Sequence, residues 1–127
     1  MKEKFELQYL FKTSPKILEN KITSASGLGE WFADDVNIKD EHYFFTWDGY
    51  DEEAKLLSIK SNQHIKFQWI SDIEEGLDTY VEMSFTVDAM TNAISLLITD
   101  FAYPEDRDSA ILMWEQQIQK LRRLIGA

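Results

Sequence analysis

Apolar and polar residues alternate along most of the chain, and the period changes only where helices are expected. Phe5, Leu7, Tyr9 and Phe11 fall on one side of residues 4–12, with Glu6, Gln8 and Lys12 on the other. A period of two over that length predicts a half-buried strand. Ser14-Pro15 then opens a helix over 15–23. The serine hydroxyl can accept from the free N–H groups of the first turn, and proline at the first helical position lacks only an N–H that had no partner. Ile17, Leu18 and Ile22 form its apolar stripe. Gly27 and Gly29 interrupt the chain, and a short second helix carrying Leu28, Trp31 and Phe32 is expected over 28–33.

From Asp34 the period returns to two. Strands are expected near 35–39, 42–48, 53–61, 64–71, 78–88 and 92–101. Lys39-Asp40-Glu41, Asp48-Gly49, Ser61-Asn62-Gln63, Glu74-Glu75-Gly76 and Met90-Thr91-Asn92 punctuate them. In the clearest case Thr79, Val81, Met83, Phe85 and Val87 share a face; Tyr43, Phe45 and Trp47 do so in another, and Ile65, Phe67 and Trp69 in a third. Short connections imply that successive strands pair antiparallel. Residues 105–125 predict a long helix, with Ile111, Trp114, Ile118, Leu121 and Ile125 recurring at three and four residues. Acidic residues begin it, Lys120, Arg122 and Arg123 lie near its end, and Gly126 follows, an order that complements the helix dipole.

The order is strand, two short helices, six strands, long helix. One apolar sheet face in an α+β chain of 127 residues needs a cover, and the last helix has the only long apolar stripe. A curved antiparallel sheet wrapped around the C-terminal helix is therefore expected, as one domain over 1–127.

At this point the chain resembles the START-like superfamily, also called helix-grip or SRPBCC. Within it, the chain is similar to small single-domain relatives of the Hsp90 ATPase activator's C-terminal domain. The resemblance rests on Ser14-Pro15 with Ile17-Leu18, and on Gly27-Leu28-Gly29-Glu30-Trp31-Phe32 before the sheet. It continues through Phe45-x-Trp47, Phe67-x-Trp69, Ile98-Thr99-Asp100, and Trp114 with Leu121. It implies a cavity between sheet and last helix, and a non-catalytic domain that binds a small hydrophobic or amphipathic ligand there. Trp31, Phe32, Phe45, Trp47, Trp69, Phe85, Trp114 and Ile118 are the candidate ligand-binding residues, with Trp31 and Phe32 as a wall or lid given room to move by Gly27 and Gly29. The alternative it implies is a protein-interaction module with a chaperone partner. In that co-chaperone an additional N-terminal domain contributes, and none is read in these residues.

The four tryptophans, five tyrosines and eight phenylalanines carry the cavity expectation independently. A buried indole N–H requires an acceptor, which a pocket holding water or ligand can supply. The competing expectation is that these rings simply fill the core.

Charge and composition narrow the partners. Thirteen basic against 23 acidic residues give a net charge of −10, which opposes nucleic acid and anionic membrane surfaces. Without cysteine there is no disulfide, thiolate nucleophile or cysteine-based metal site. Neither a signal segment nor an apolar run of roughly 18 residues is present, and a cytoplasmic location is expected. His42 and His64 are read as surface residues beside turns, and no metal or other cofactor is expected. The acidic groups Asp34-Asp35, Asp48 with Asp51-Glu52-Glu53, and Asp72-Ile73-Glu74-Glu75 lack the spacing of a calcium loop and are read as solvated. No phosphate loop, Ser-His-Asp order or HExxH occurs, so an enzyme reading ranks third. Asp100 stands apart: it shares a strand face with Ile94, Leu96 and Ile98, and would need donors if buried, with Tyr9 and Tyr103 as candidates. Edge strands and aromatics such as Phe44 or Tyr50 leave the oligomeric state open.

Overall fold

Two tight turns set the register of half the sheet. Asp40 and Glu41 have φ of 51° and 65°, and Asp48 and Gly49 have 43° and 86°. Consecutive left-handed residues make the hairpin turns whose twist matches that of the strands they join. The first turn links β2 (Asp35–Lys39) to β3 (His42–Trp47), and the second links β3 to β4 (Tyr50–Lys60). Trp47 therefore pairs with Tyr50, and Phe45 with Glu52. In this computed structural model, which describes residues 1–60 and 64–126, β4 begins three residues earlier than its sequence pattern suggested. The expected turn at Ser61-Asn62-Gln63 lies outside the described residues.

β5 (His64–Trp69), β6 (Val81–Val87) and β7 (Ile94–Ala102) continue the meander, and β1 (Glu3–Phe11) closes onto β7. The result is a seven-stranded antiparallel sheet of order β1-β7-β6-β5-β4-β3-β2. A register shift between Leu56 and Ser58 sits in β4, where an extra residue increases local bend. The fold is the expected α+β helix-grip arrangement.

The covering helices follow from their ends. Ser14 caps α1 (Pro15–Thr23), its Oγ accepting from the Ile17 N–H at 3.1 Å. Leu18 and Ile22 are buried, whereas Ile17, expected on the same stripe, turns outward and is 46% exposed. Ser24 both ends α1 and starts α2 (Ala25–Leu28), accepting from the Gly27 N–H at 2.9 Å. The second helix thus lies upstream of the expected 28–33. Residues 31–33 instead fold back, their three N–H groups converging on the Leu28 carbonyl. α4 (Arg107–Ile125) follows a 3-10 turn at Pro104–Asp106 and ends on Gly126, whose φ of 71° suits glycine. Its buried residues are Trp114, Ile118 and Leu121, with Ile111 and Ile125 packed against the same core.

One element was not expected from the pattern. α3 (Ile70–Glu74) follows β5 directly, where the sequence pattern predicts a strand end and a turn. It carries Asp72 inward. That carboxylate, expected in a solvated loop, is 3% exposed, paired with the Lys2 ammonium at 2.8 Å, and accepts from the Thr79 hydroxyl at 2.5 Å. Burying a charge requires such partners, and no local sequence signal announces a partner 70 residues away.

Candidate functional site

Alternation places Tyr43, Phe45 and Trp47 of β3 on the concave face, with Phe67 and Trp69 of β5 beside them. Phe45 lies 5.5 Å from Trp47, 5.4 Å from Phe67 and 5.6 Å from Trp69, ring centre to ring centre. Phe32 descends onto this layer from the segment after α2, edge-on to Phe45 at 5.2 Å and to Trp47 at 5.5 Å. Trp114 of α4 meets Phe32 from the other side at 5.5 Å. Helix and sheet are thus separated by a layer of aromatic rings.

A cavity of about 310 Å³ lies in that gap. Phe32, Trp47, Trp69 and Trp114 line it, with Val81 of β6 and Ala110 of α4 completing the apolar wall. Tyr50 and Met113, 58% and 61% exposed, also line it and mark its mouth. Its polar lining is Glu52, Asp100 and Gln117. Of the eight candidate residues, four line this cavity. Phe45, Phe85 and Ile118 lie behind them in the core, and Trp31 lies on the far side of Phe32.

The Phe32 carbonyl holds the wall together. It accepts from Trp47 Nε1 at 2.7 Å and from Gln117 Nε2 at 2.8 Å, tying β3 and α4 to the same atom. Beyond this partition is a second hollow of about 250 Å³, lined by Trp31, Glu30 and Lys120 among others. Trp31 donates to the Lys21 carbonyl at 2.8 Å. Gly27 is needed for close approach: a Cβ there would sit 2.1 Å from the Asn20 carbonyl oxygen. The segment expected to have room to move is therefore tied by three indole or amide hydrogen bonds and by backbone contact.

Asp100 is the polar centre of the cavity floor. Its Oδ2 accepts from Trp114 Nε1 at 2.9 Å and its Oδ1 from the Phe101 N–H at 2.7 Å. The donors are thus an indole and the backbone, and neither Tyr9 nor Tyr103. Burial pushes its pKa up to about 6; the two hydrogen bonds and the charge of Lys2 oppose that rise, and Asp72 adds to it. Glu52, reached by the Tyr50 hydroxyl at 3.5 Å, is the second carboxylate. Its place was legible in the Asp48-Gly49 turn, which pairs 47 with 50 and so puts 52 on the face of Phe45. The histidines lie elsewhere: His42 Nδ1 bonds Glu53, and His64 Nε2 lies 2.9 Å from the Ser58 hydroxyl.

Among the described residues, no helix is long and apolar enough to cross a membrane. No curated protein matches the chain. Among solved structures, BfR322 from Bacteroides fragilis is 32% identical, with a TM-score of 0.67 over 97% of this chain and 90% of that one. The Aha1 dimer from Colwellia psychrerythraea shares the fold at 15% identity, with a TM-score of 0.79 over 97% and 96%. BH1534 from Bacillus halodurans does so at 12% identity, with a TM-score of 0.77 over 97% and 96%. The model of the START-like superfamily domain matches residues 1–127, and the chain belongs to that superfamily.

Proposed function

We propose that this domain binds a small hydrophobic or amphipathic molecule, without catalysis, in the cavity between α4 and the sheet. The observation that carries the reading is the cavity itself: about 310 Å³, walled by three tryptophans and Phe32, with an exposed mouth at Tyr50 and Met113. That volume is at the small end of ligand sites. START-like domains commonly bind hydrophobic ligands, which agrees in kind. Phe32, Trp47, Trp69 and Trp114 are the proposed contacts; Phe45, Phe85, Ile118 and Trp31 support them from behind. The co-chaperone reading draws on a fold shared with Aha1, and no feature of the cavity favours it.

The test is a titration with hexan-1-ol, read by tryptophan emission and thermal stability. Saturable binding raises stability by about 2.7 kcal/mol when the alcohol is at a hundred times its Kd. Ala110→Trp fills the cavity from α4, and should abolish the response while the protein still melts cooperatively. Absence of a saturable change in the unmodified protein refutes the reading. Native mass spectrometry of freshly purified protein would show any ligand it retains.

A further inference from the structure

The cavity is aromatic and acidic at once. Five of its lining residues are aromatic, and among the described residues its only ionisable side chains besides Tyr50 are Glu52 and Asp100. No lysine, arginine or histidine is among the described residues that line it; Lys120 lines the separate hollow beyond the Phe32 partition. Neither carboxylate joins an ion pair among the described residues, where the pairs are Lys2–Asp72, Lys21–Glu30 and His42–Glu53. The donors are mostly committed as well. Trp47 Nε1 and Gln117 Nε2 are spent on the Phe32 carbonyl, and Trp114 Nε1 on Asp100. What the wall offers a ligand is mainly aromatic rings and carboxylate oxygens, with the Trp69 indole N–H and the Tyr50 hydroxyl as neutral donors.

We propose that the cavity selects amphiphiles by a positively charged head group, an ammonium or a similar organic cation, on a short apolar body. The inference rests on the binding reading above and names its ligand class. Ring faces carry negative potential and attract a cation within about 6 Å, more strongly where water is excluded. The two carboxylates add to that attraction, and a pKa of about 6 leaves Asp100 mostly ionised at pH 7.5. An anionic head such as a fatty carboxylate meets two like charges and no cation among the described lining residues; Lys2, whose charge reaches Asp100, is paired with Asp72. The net charge of −10 works in the same direction at longer range.

Three probes with one chain and different heads separate the terms: hexyltrimethylammonium, hexan-1-ol and hexanoate. Each is titrated at pH 7.5 into the whole chain, followed by NMR shifts of the tryptophan indole N–H signals. The expected order is ammonium tighter than alcohol by about tenfold, with hexanoate weakest. In Glu52→Gln the ratio of ammonium to alcohol affinity should fall about fivefold. Equal binding of alcohol and ammonium, tighter binding of hexanoate, or an unchanged ratio in Glu52→Gln overturns the cationic preference while leaving the cavity as a binding site. Failure of all three probes to shift any indole signal overturns the binding reading and this inference together. Cooperative unfolding of Glu52→Gln, checked by circular dichroism, keeps its result interpretable.

Discussion

Asp100→Asn isolates the contribution of one enclosed carboxyl to the pH dependence of folding. In the folded protein burial lifts the Asp100 pKa from 3.8 to about 6. In the unfolded chain the group returns to its ordinary value. Between those values the unfolded state binds fewer protons than the folded one, so this carboxyl makes stability fall as pH rises. The contribution is fully present below pH 4 and lost by about pH 7. Each pKa unit corresponds to about 1.4 kcal/mol, so the full loss is about 3 kcal/mol. Asparagine does not titrate, and its amide must face one of the two N–H donors, Trp114 or Phe101. That mismatch costs about 1–2 kcal/mol at every pH. Urea unfolding of both proteins from pH 4 to pH 7.5 separates the offset from the slope. The advantage of the unmodified protein over the variant should shrink by about 2 kcal/mol or more across that range, roughly 1 M in urea midpoint. The other acidic residues titrate in both proteins and cancel in the difference. Parallel stability curves would refute the enclosure of Asp100 and remove it from the cavity floor.

Further consequences follow from the same packing. Trp114→Ala should cost about 3–5 kcal/mol in urea unfolding, since the indole is 5% exposed and its loss also strips Asp100 of a donor; a loss below about 1 kcal/mol would contradict its place in the core. Gly27→Ala should destabilise by about 2–3 kcal/mol, because the added Cβ meets backbone oxygen and no side chain can yield; an unchanged melting temperature would disprove that contact. For the Lys2–Asp72 pair, Lys2→Met should be worse than Asp72→Asn. The first leaves a carboxylate 4% exposed without its cation, whereas Lys2, 22% exposed, can still reach water. Denaturation midpoints in the opposite order would refute that reasoning.

Periodicity and turn residues were enough to place the seven strands and the long helix, although not α3 or the true position of α2. Alternation from Asp34 onward, with turn residues between, specified the meander, and the Asp40-Glu41 and Asp48-Gly49 turns hold its register to single residues. The stripe of Trp114, Ile118 and Leu121 identified the covering helix. These are local properties: a side chain's face on a strand or helix depends on its immediate neighbours along the chain. Depth beneath a face is different. Phe45 and Trp47 share one strand face, yet Phe45 is wholly buried and Trp47 lines the cavity. Phe32 meets both rings, at 5.2 and 5.5 Å, and Trp114 of a distant segment meets Phe32, yet of the two strand residues only Trp47 borders the gap left against α4. Glu52 could have been placed from the hairpin register. Asp72 could not, because its burial depends on Lys2 and Thr79, which arrive from the segments just before β1 and β6. The role of Gly27 likewise needed the tertiary structure, since what it avoids is the Asn20 carbonyl of the preceding helix. Periodicity reports which way a side chain points; how far the opposing surface stands off is decided by the volumes of the rings that meet between them.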